Sequence, residues 1–307
     1  MEAARVEYAD KNVSIAPTTY MSAAALIPPT LVVDESHITI RGVHLRFDEL
    51  IDEQQFAPEH ALQQREHMSK AEPFEHLVFK RLFNDRLLEL VHDEFDMGCD
   101  VQWKRHSNRY EDTRRSMPSA PLGPATQLYF WLINSGRMTR FLSNVSGVDD
   151  LIPDPDLLGG GMHETRNGGH FSIHRDFEAH FTNGLSNAMV FITYLNKDWL
   201  PSYQGSLELW DAQHQQCVKK VAPDFGVSLL MRHGPNSYHG YSTPLDMPQG
   251  RTRRSLASYY YTHPNASQQS ASRVSKFLFT AKVDIGKNML KQCVPPIVWN
   301  GFRKLKR

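Results

Sequence analysis

The chain has 307 residues, enough for a sizeable buried core, and 40% of them are hydrophobic against 22% charged. That balance excludes collagen-like, disulfide-scaffold and wholly disordered chains. Lys plus Arg equals Asp plus Glu at 34 each, which argues against a uniformly basic nucleic-acid binder, and no nucleic-acid partner is expected.

In chain order, no stretch reads as a membrane span, because the long uncharged run 13–33 is broken by Pro17, Pro28 and Pro29. The opening carries Glu2, Arg5, Glu7, Asp10 and Lys11 rather than a basic start and an apolar block, so the expectation is a soluble, cytoplasmic protein. Cys99, Cys217 and Cys293 are odd in number and widely spaced, which fits neither a zinc site nor a disulfide framework. Residues 1–70 read as an N-terminal extension with a hairpin over 38–47 and a polar, helix-like stretch after it, and no chemistry is legible there. From Glu72 onward, 73–79 reads as a short strand, and Asn84 caps a helix through Leu87, Leu88, Leu90 and Val91. A second helix is expected over 125–142, with Leu128, Trp131, Leu132 and Phe141 on its apolar face. Between 159 and 261, Gly, Pro, Asn and Asp separate strand-length runs at 169–177, 188–195, 206–210, 226–231 and 253–261. Short strands without intervening helices favour a sandwich or barrel over a parallel sheet. Residues 266–307 form a basic tail, with nine basic side chains and one acidic one in 273–307. Packing of its apolar residues on the barrel is favoured over docking on an acidic partner or an anionic surface.

The chemistry concentrates in the strand-rich part. Seven of the 15 histidines fall between 163 and 239. In His170-Phe171-Ser172-Ile173-His174-Arg175-Asp176-Phe177, strand alternation puts His170, Ser172, His174 and Asp176 on one face and Phe171, Ile173 and Phe177 on the other. His-x-Asp on one strand plus a distant His is the pattern of the facial triad that holds Fe(II) and leaves positions open. His239, in Ser237-Tyr238-His239-Gly240, is the favoured third ligand, with His233 or His180 as rivals. In the strand that follows, Arg253, Ser255 and Ala257 share a face, and small neighbours leave room beside a guanidinium able to receive a carboxylate. Arg251 is the alternative. The tripeptides His174-Arg175-Asp176 and Asp224-Phe225-Gly226 are spelled like kinase motifs, but Phe181 stands where a kinase needs Asn.

These segments, together with Tyr194-Leu195-Asn196-Lys197-Asp198-Trp199 and Gly205-Ser206-Leu207-Glu208-Leu209-Trp210-Asp211, occur in one order. Residues 72–262 resemble the prolyl 4-hydroxylase-like group of Fe(II)/2-oxoglutarate-dependent dioxygenases. The resemblance implies a mainly β fold with supporting helices around a double-stranded β-helix (jelly roll), with the dioxygenase domain at 71–265. It implies that His174, Asp176 and His239 bind Fe(II), that Arg253 and Tyr194 reach the distal carboxylate of 2-oxoglutarate, and that Leu207 walls the pocket. O2 completes the reactants, and ascorbate is a candidate addition. The expected reaction couples decarboxylation of 2-oxoglutarate to hydroxylation of an aliphatic carbon, in a prolyl residue or a small molecule. One departure is Gln204, at a position where the family often has Gly. A non-oxidative, cupin-like metal-binding module is the alternative, and a metal-dependent isomerase or hydrolase on a similar barrel comes third.

Overall fold

The computed structural model describes residues 32–33, 36–97, 102–118, 120–264 and 271–278. The chain opens with β1 (Val32–Val33), β2 (His37–Ile40) and β3 (Val43–Arg46) in a small antiparallel sheet. Its β2–β3 turn, Arg41-Gly42, has positive φ at both residues (51° and 78°), as tight, right-twisted hairpins favour. There follow α1 (Pro58–Ser69), β4 (His76–Phe79), α2 (Asp85–Glu94), β5 (Trp103–Ser107), β6 (Asp112–Ser116), α3 (Pro124–Ile133) and α4 (Gly136–Ser146). The strand-rich part comprises β7 (Ile152–Pro153), β8 (Gly161–Arg166), β9 (Phe171–Arg175), β10 (Ser186–Tyr194), β11 (Leu207–Asp211) and β12 (Gln216–Val221). It ends with β13 (Ser228–Arg232), β14 (Tyr238–Tyr241), β15 (Thr252–Thr262) and β16 (Lys276–Phe277).

Two antiparallel sheets face each other. The larger runs β4-β13-β10-β15-β8-β6-β5 with β7 also on β15, and the smaller runs β12-β11-β14-β9-β16. This is the jelly-roll architecture expected from the sequence. Strand alternation divides β10 between two cores. Met189 and Phe191 face the helices, in one apolar cluster with Leu87, Leu88, Tyr129 and Phe141, while Val190 and Tyr194 face the small sheet with Leu207 and Leu209. The helix layer is pinned to the back of the large sheet by Tyr129 Oη–H donating to Thr193 Oγ1 (2.7 Å) and Tyr260 Oη–H donating to the Ile133 carbonyl (2.6 Å). Ile38, Ile40, Leu45, Leu50 and Met68 are buried in that same rear cluster.

Asn84 caps α2 through its side-chain oxygen, as expected. The single helix expected over 125–142 is instead two. Ser135 accepts from Met138 N–H (3.2 Å) and starts α4, so the chain turns at Asn134-Ser135 and the apolar face is not continuous. Trp131, expected on that face, is 64% exposed. Cys217 is a free thiol. No helix among the described residues is long and apolar enough to cross a membrane. Of the basic tail, residues 271–278 are described and include β16 on β9; the remaining basic residues, from Lys282 to Arg307, lie outside the described residues.

Candidate metal centre and co-substrate pocket

His174 sits near the end of β9 and Asp176 just beyond it, while His239 lies on β14, paired directly with His174 in the ladder. One ligand atom from each of the three falls within 4.8 Å of the others. His174 Nε2 is 3.3 Å and His239 Nε2 3.7 Å from the Asp176 carboxylate, and the three residues are 2%, 5% and 7% exposed for His174, His239 and Asp176. The other ring nitrogens are occupied: His174 Nδ1 lies 2.8 Å from the Ser172 carbonyl and His239 Nδ1 3.0 Å from the Ser237 carbonyl. A carbonyl only accepts, so each Nδ1 carries the proton and each Nε2 lone pair is left for a metal. Asp176 Oδ2 is buried without a hydrogen-bond partner. Burial alone would raise the Asp176 carboxyl, but the His239, His174 and His233 imidazoles beside it hold it well below the usual carboxylate range. Burial pushes His239 down to about 4, against the pull of Asp176. A buried carboxylate with one oxygen lacking a donor, beside two imidazole Nε2 atoms, fits a divalent cation.

The alternation expected for β9 breaks at a bulge. His174 pairs with His239 and Phe171 with Tyr241, so three steps on β9 oppose two on β14. Phe171 therefore joins His174 on the pocket side, its ring stacked 3.9 Å from the imidazole, rather than pointing away. Gly240 is required there, because a Cβ would come within 2.8 Å of the Phe171 and Ser172 carbonyl oxygens.

The pocket runs from the three ligands between the sheets to Arg253, and Tyr194, Leu207, Ser255 and Ala257 also line it. Arg253 is 5% exposed. Its Nε–H donates to the Gly205 carbonyl (2.8 Å), and its guanidinium carbon lies 4.2 Å from the Tyr241 ring centroid and 5.0 Å from that of Tyr194. Its Nη2 and the Tyr194 hydroxyl are buried without hydrogen-bond partners. Burial raises the Tyr194 phenol, with Arg253 pulling the other way, so the hydroxyl stays a donor. Two unpaired donors at the end of an apolar-walled slot fit a carboxylate.

The rivals lie elsewhere. Arg251 rests over Trp199 and Tyr203 and donates to the Asp198 carbonyl (3.0 Å). Arg254 points to the other side of β15, to Asp96 and Glu164. His180 accepts from Thr182 N–H (3.3 Å) and lies 4.0 Å from Asp154. His233 approaches Asp176 Oδ2 to 3.6 Å but lies outside the group of three donors. Gln204, the departure from the family pattern, keeps a glycine-like backbone with φ 62°. His163 lines the pocket from β8, in the segment 162–167 that the family resemblance places on the substrate side as a loop and that the structure makes mostly strand. One contributor was not read from the sequence. Phe277 of β16 lies 5.7 Å from the His174 ring and stacks on Tyr110 at 4.4 Å, and it carries no local signal at all.

The fold and this donor set define a jelly roll with a buried set of three metal-ligand side chains, in a pocket that ends on a guanidinium. Residues 160–261 match the model of the 2OG-Fe(II) oxygenase superfamily, and that stretch holds all six residues named for metal and co-substrate. Over that stretch the chain is similar to the 2OG-Fe(II) oxygenase superfamily, whose members bind Fe(II) and 2-oxoglutarate. No curated protein matches. Among solved structures, a Trichoplax adhaerens prolyl hydroxylase in complex with a hypoxia inducible factor oxygen degradation domain peptide is similar, with 13% identity and a TM-score of 0.51, over 68% of this chain and 92% of that one. A Pseudomonas putida prolyl-4-hydroxylase covers 66% of this chain and 100% of its own at 13% identity and TM-score 0.49. HygX from Streptomyces hygroscopicus, with nickel, 2-oxoglutarate and hygromycin B bound, covers 66% of this chain and 92% of its own at 13% identity and TM-score 0.44.

Proposed function

We propose that the protein is a 2-oxoglutarate-dependent hydroxylase of an aliphatic carbon, and the observation that carries the reading is the combination of the His174, Asp176 and His239 cluster with an unpaired, buried Arg253 in one pocket. A metal-binding module without oxidation has no use for the second half. When bound, Fe(II) and 2-oxoglutarate would supply dioxygen activation, releasing succinate and CO2 and furnishing a hydroxyl. The chain's own residues do the rest. The Ser172 and Ser237 carbonyls orient the two imidazoles, so His174 and His239 meet the metal with preset Nε2 lone pairs. Asp176 supplies the negative charge. Arg253, steered by Gly205 and flanked by Tyr194, would hold the distal carboxylate, and Leu207, Val190 and Ala257 keep water from the slot. No side chain is needed as a general base. A prolyl residue or a free small molecule is the acceptor, and ascorbate would serve only to restore metal oxidised without substrate. Incubating a metabolite and peptide extract with the protein, Fe(II), 2-oxoglutarate and O2 tests this: a product heavier by one oxygen should appear with wild type and not with Asp176→Ala. A product that forms equally without 2-oxoglutarate would reject the reading.

A further inference from the structure

Beside the metal pocket, the large sheet continues through β8, β6 and β5, and the inner face of that extension carries a second cationic cluster. In the ladder Arg115 lies opposite His163, and Thr113 opposite His106. Side chains directly opposite in a ladder share a face, and Thr113 and His163 both line the pocket with the metal ligands. Arg115, His106 and His163 therefore converge on the pocket's side from three adjacent strands.

What distinguishes this cluster is a guanidinium without a carboxylate partner, although buried Glu111 lies near both imidazoles. The neighbouring arginines are engaged: Arg114 with Glu164, Arg105 with Asp112, and Arg254 with Asp96 and Glu164. The Arg115 side chain makes no hydrogen bond or ion pair among the described residues, while its backbone sits in the β5–β6 and β6–β8 ladders. The carboxylate on its own strand face, Glu111, accepts from Thr113 Oγ1 (2.6 Å) and forms no ion pair with it. His106 Nε2 is buried with no hydrogen-bond partner. Burial, and Arg115 itself, push both His106 and His163 down against the pull of Glu111, and His163 Nε2–H is taken by the Gly160 carbonyl (3.2 Å), which leaves His106 Nε2 as the open imidazole nitrogen. A half-buried guanidinium beside unpaired imidazole nitrogen, facing a pocket, is an acceptor-seeking arrangement that a carboxylate completes.

The rim decides the size of the ligand. A peptide could be recognised by adding a strand to the β9 edge, but β16 already occupies it. Lys276 pairs with Arg175 and Phe277 with His174, while Leu278 N–H donates to the Ile173 carbonyl (2.8 Å). Phe277 then stacks on Tyr110 at the β5–β6 tip (4.4 Å, 17°), closing that side. We infer that the acceptor substrate is a small organic acid whose carboxylate is held by Arg115 with His106, leaving its aliphatic chain toward His174, Asp176 and His239. This rests on the hydroxylase reading and names its substrate class.

The test is saturation-transfer NMR on protein loaded with Zn(II), as an inert metal, and saturating 2-oxoglutarate. The probes are L-proline, L-pipecolate, L-leucine and 4-methylpentanoate, each beside its primary amide, and an end-capped proline-containing peptide. At least one acid should bind about 10-fold or more tighter than its amide, the size of one charge-assisted pair. Arg115→Gln should reduce that ratio to near one, and Arg115→Lys should keep part of it. Equal binding of acids and amides throughout, a preference that survives in Arg115→Gln, or the capped peptide binding best would each overturn the inference. Affinity for 2-oxoglutarate, read in the same samples, should be unchanged in Arg115→Gln; its absence from wild type would instead count against the hydroxylase reading.

Discussion

Replacing Arg253 with Met separates a co-substrate anchor from a structural residue. In the ligand-free protein the guanidinium makes one hydrogen bond, to the Gly205 carbonyl, and lies over the rings of Tyr241 and Tyr194, while Nη2 has no partner. Losing that bond and stranding the carbonyl costs about 1–3 kcal/mol, and the two ring contacts are worth roughly 0.5–1 kcal/mol each. Against this, the fold no longer desolvates an incompletely paired charge, a penalty on the order of several kcal/mol. The terms nearly cancel, so the apo variant should melt within a few degrees of wild type. With 2-oxoglutarate present the balance is different, because the ligand's carboxylate would be buried without its cation. Breaking a buried ion pair costs roughly 3–5 kcal/mol, a weakening of roughly 150- to 5000-fold. Anaerobic titration of 2-oxoglutarate into the Fe(II)-loaded protein, followed by its charge-transfer absorbance, reads the midpoint directly. An unmoved midpoint in Arg253→Met, or a shift in Arg251→Met instead, would refute the assignment. A collapse in apo stability would show that the guanidinium holds the fold.

Ala at His174, Asp176 or His239 should each lower Fe(II) affinity by 100-fold or more, on the order expected when one of three protein ligands is removed, whereas His180→Ala should leave it unchanged; equilibrium dialysis checks both. His163 stays neutral in the folded protein down to about 4, held there by burial and by Arg115. An exposed imidazole takes its proton near 6.5, so between these values the unfolded chain binds more protons and stability falls as pH drops through the window. Urea denaturation at pH 7 and pH 4.5 should show His163→Gln losing roughly 1–3 kcal/mol less than wild type; an identical loss would mean His163 is not held neutral. Phe277→Ala removes the contact between β16 and the metal-ligand strand, and should cost about 1–2 kcal/mol, a drop of roughly 2–6 °C in Tm. An unchanged Tm would show that β16 contributes nothing to the barrel.

Much of this site was legible because its signals are local. His174 and Asp176 stand two apart on one extended segment, His239 is followed by the glycine its close approach to β9 requires, and Arg253 is separated from Arg254 by strand alternation and from Arg251 by its spacing to Ser255. The wrong or missing parts are those set by pairing across the fold. Phe171 changed faces because of a register shift against β14, which no period-2 reading of β9 contains. The helix break at Ser135 has a local cause, a capping hydroxyl, but Phe130, Leu132 and Met138 keep the stretch apolar through it. Strands β5 and β6, rich in Arg, Lys and Ser, have no apolar alternation to announce them and exist because β8 offers an edge. Phe277 reaches His174 only once β16 has added to β9, about 100 residues away in sequence.

Conversion of 1-13C-labelled 2-oxoglutarate tests the central claim most directly. The account predicts labelled CO2 and an equal amount of succinate from wild type with Fe(II) and O2, turnover that Asp176→Ala abolishes and that Arg253→Met restores only at high 2-oxoglutarate. Wild-type protein that binds Fe(II) tightly yet forms no succinate, with or without an acceptor, would contradict it and leave a metal-binding jelly roll in its place.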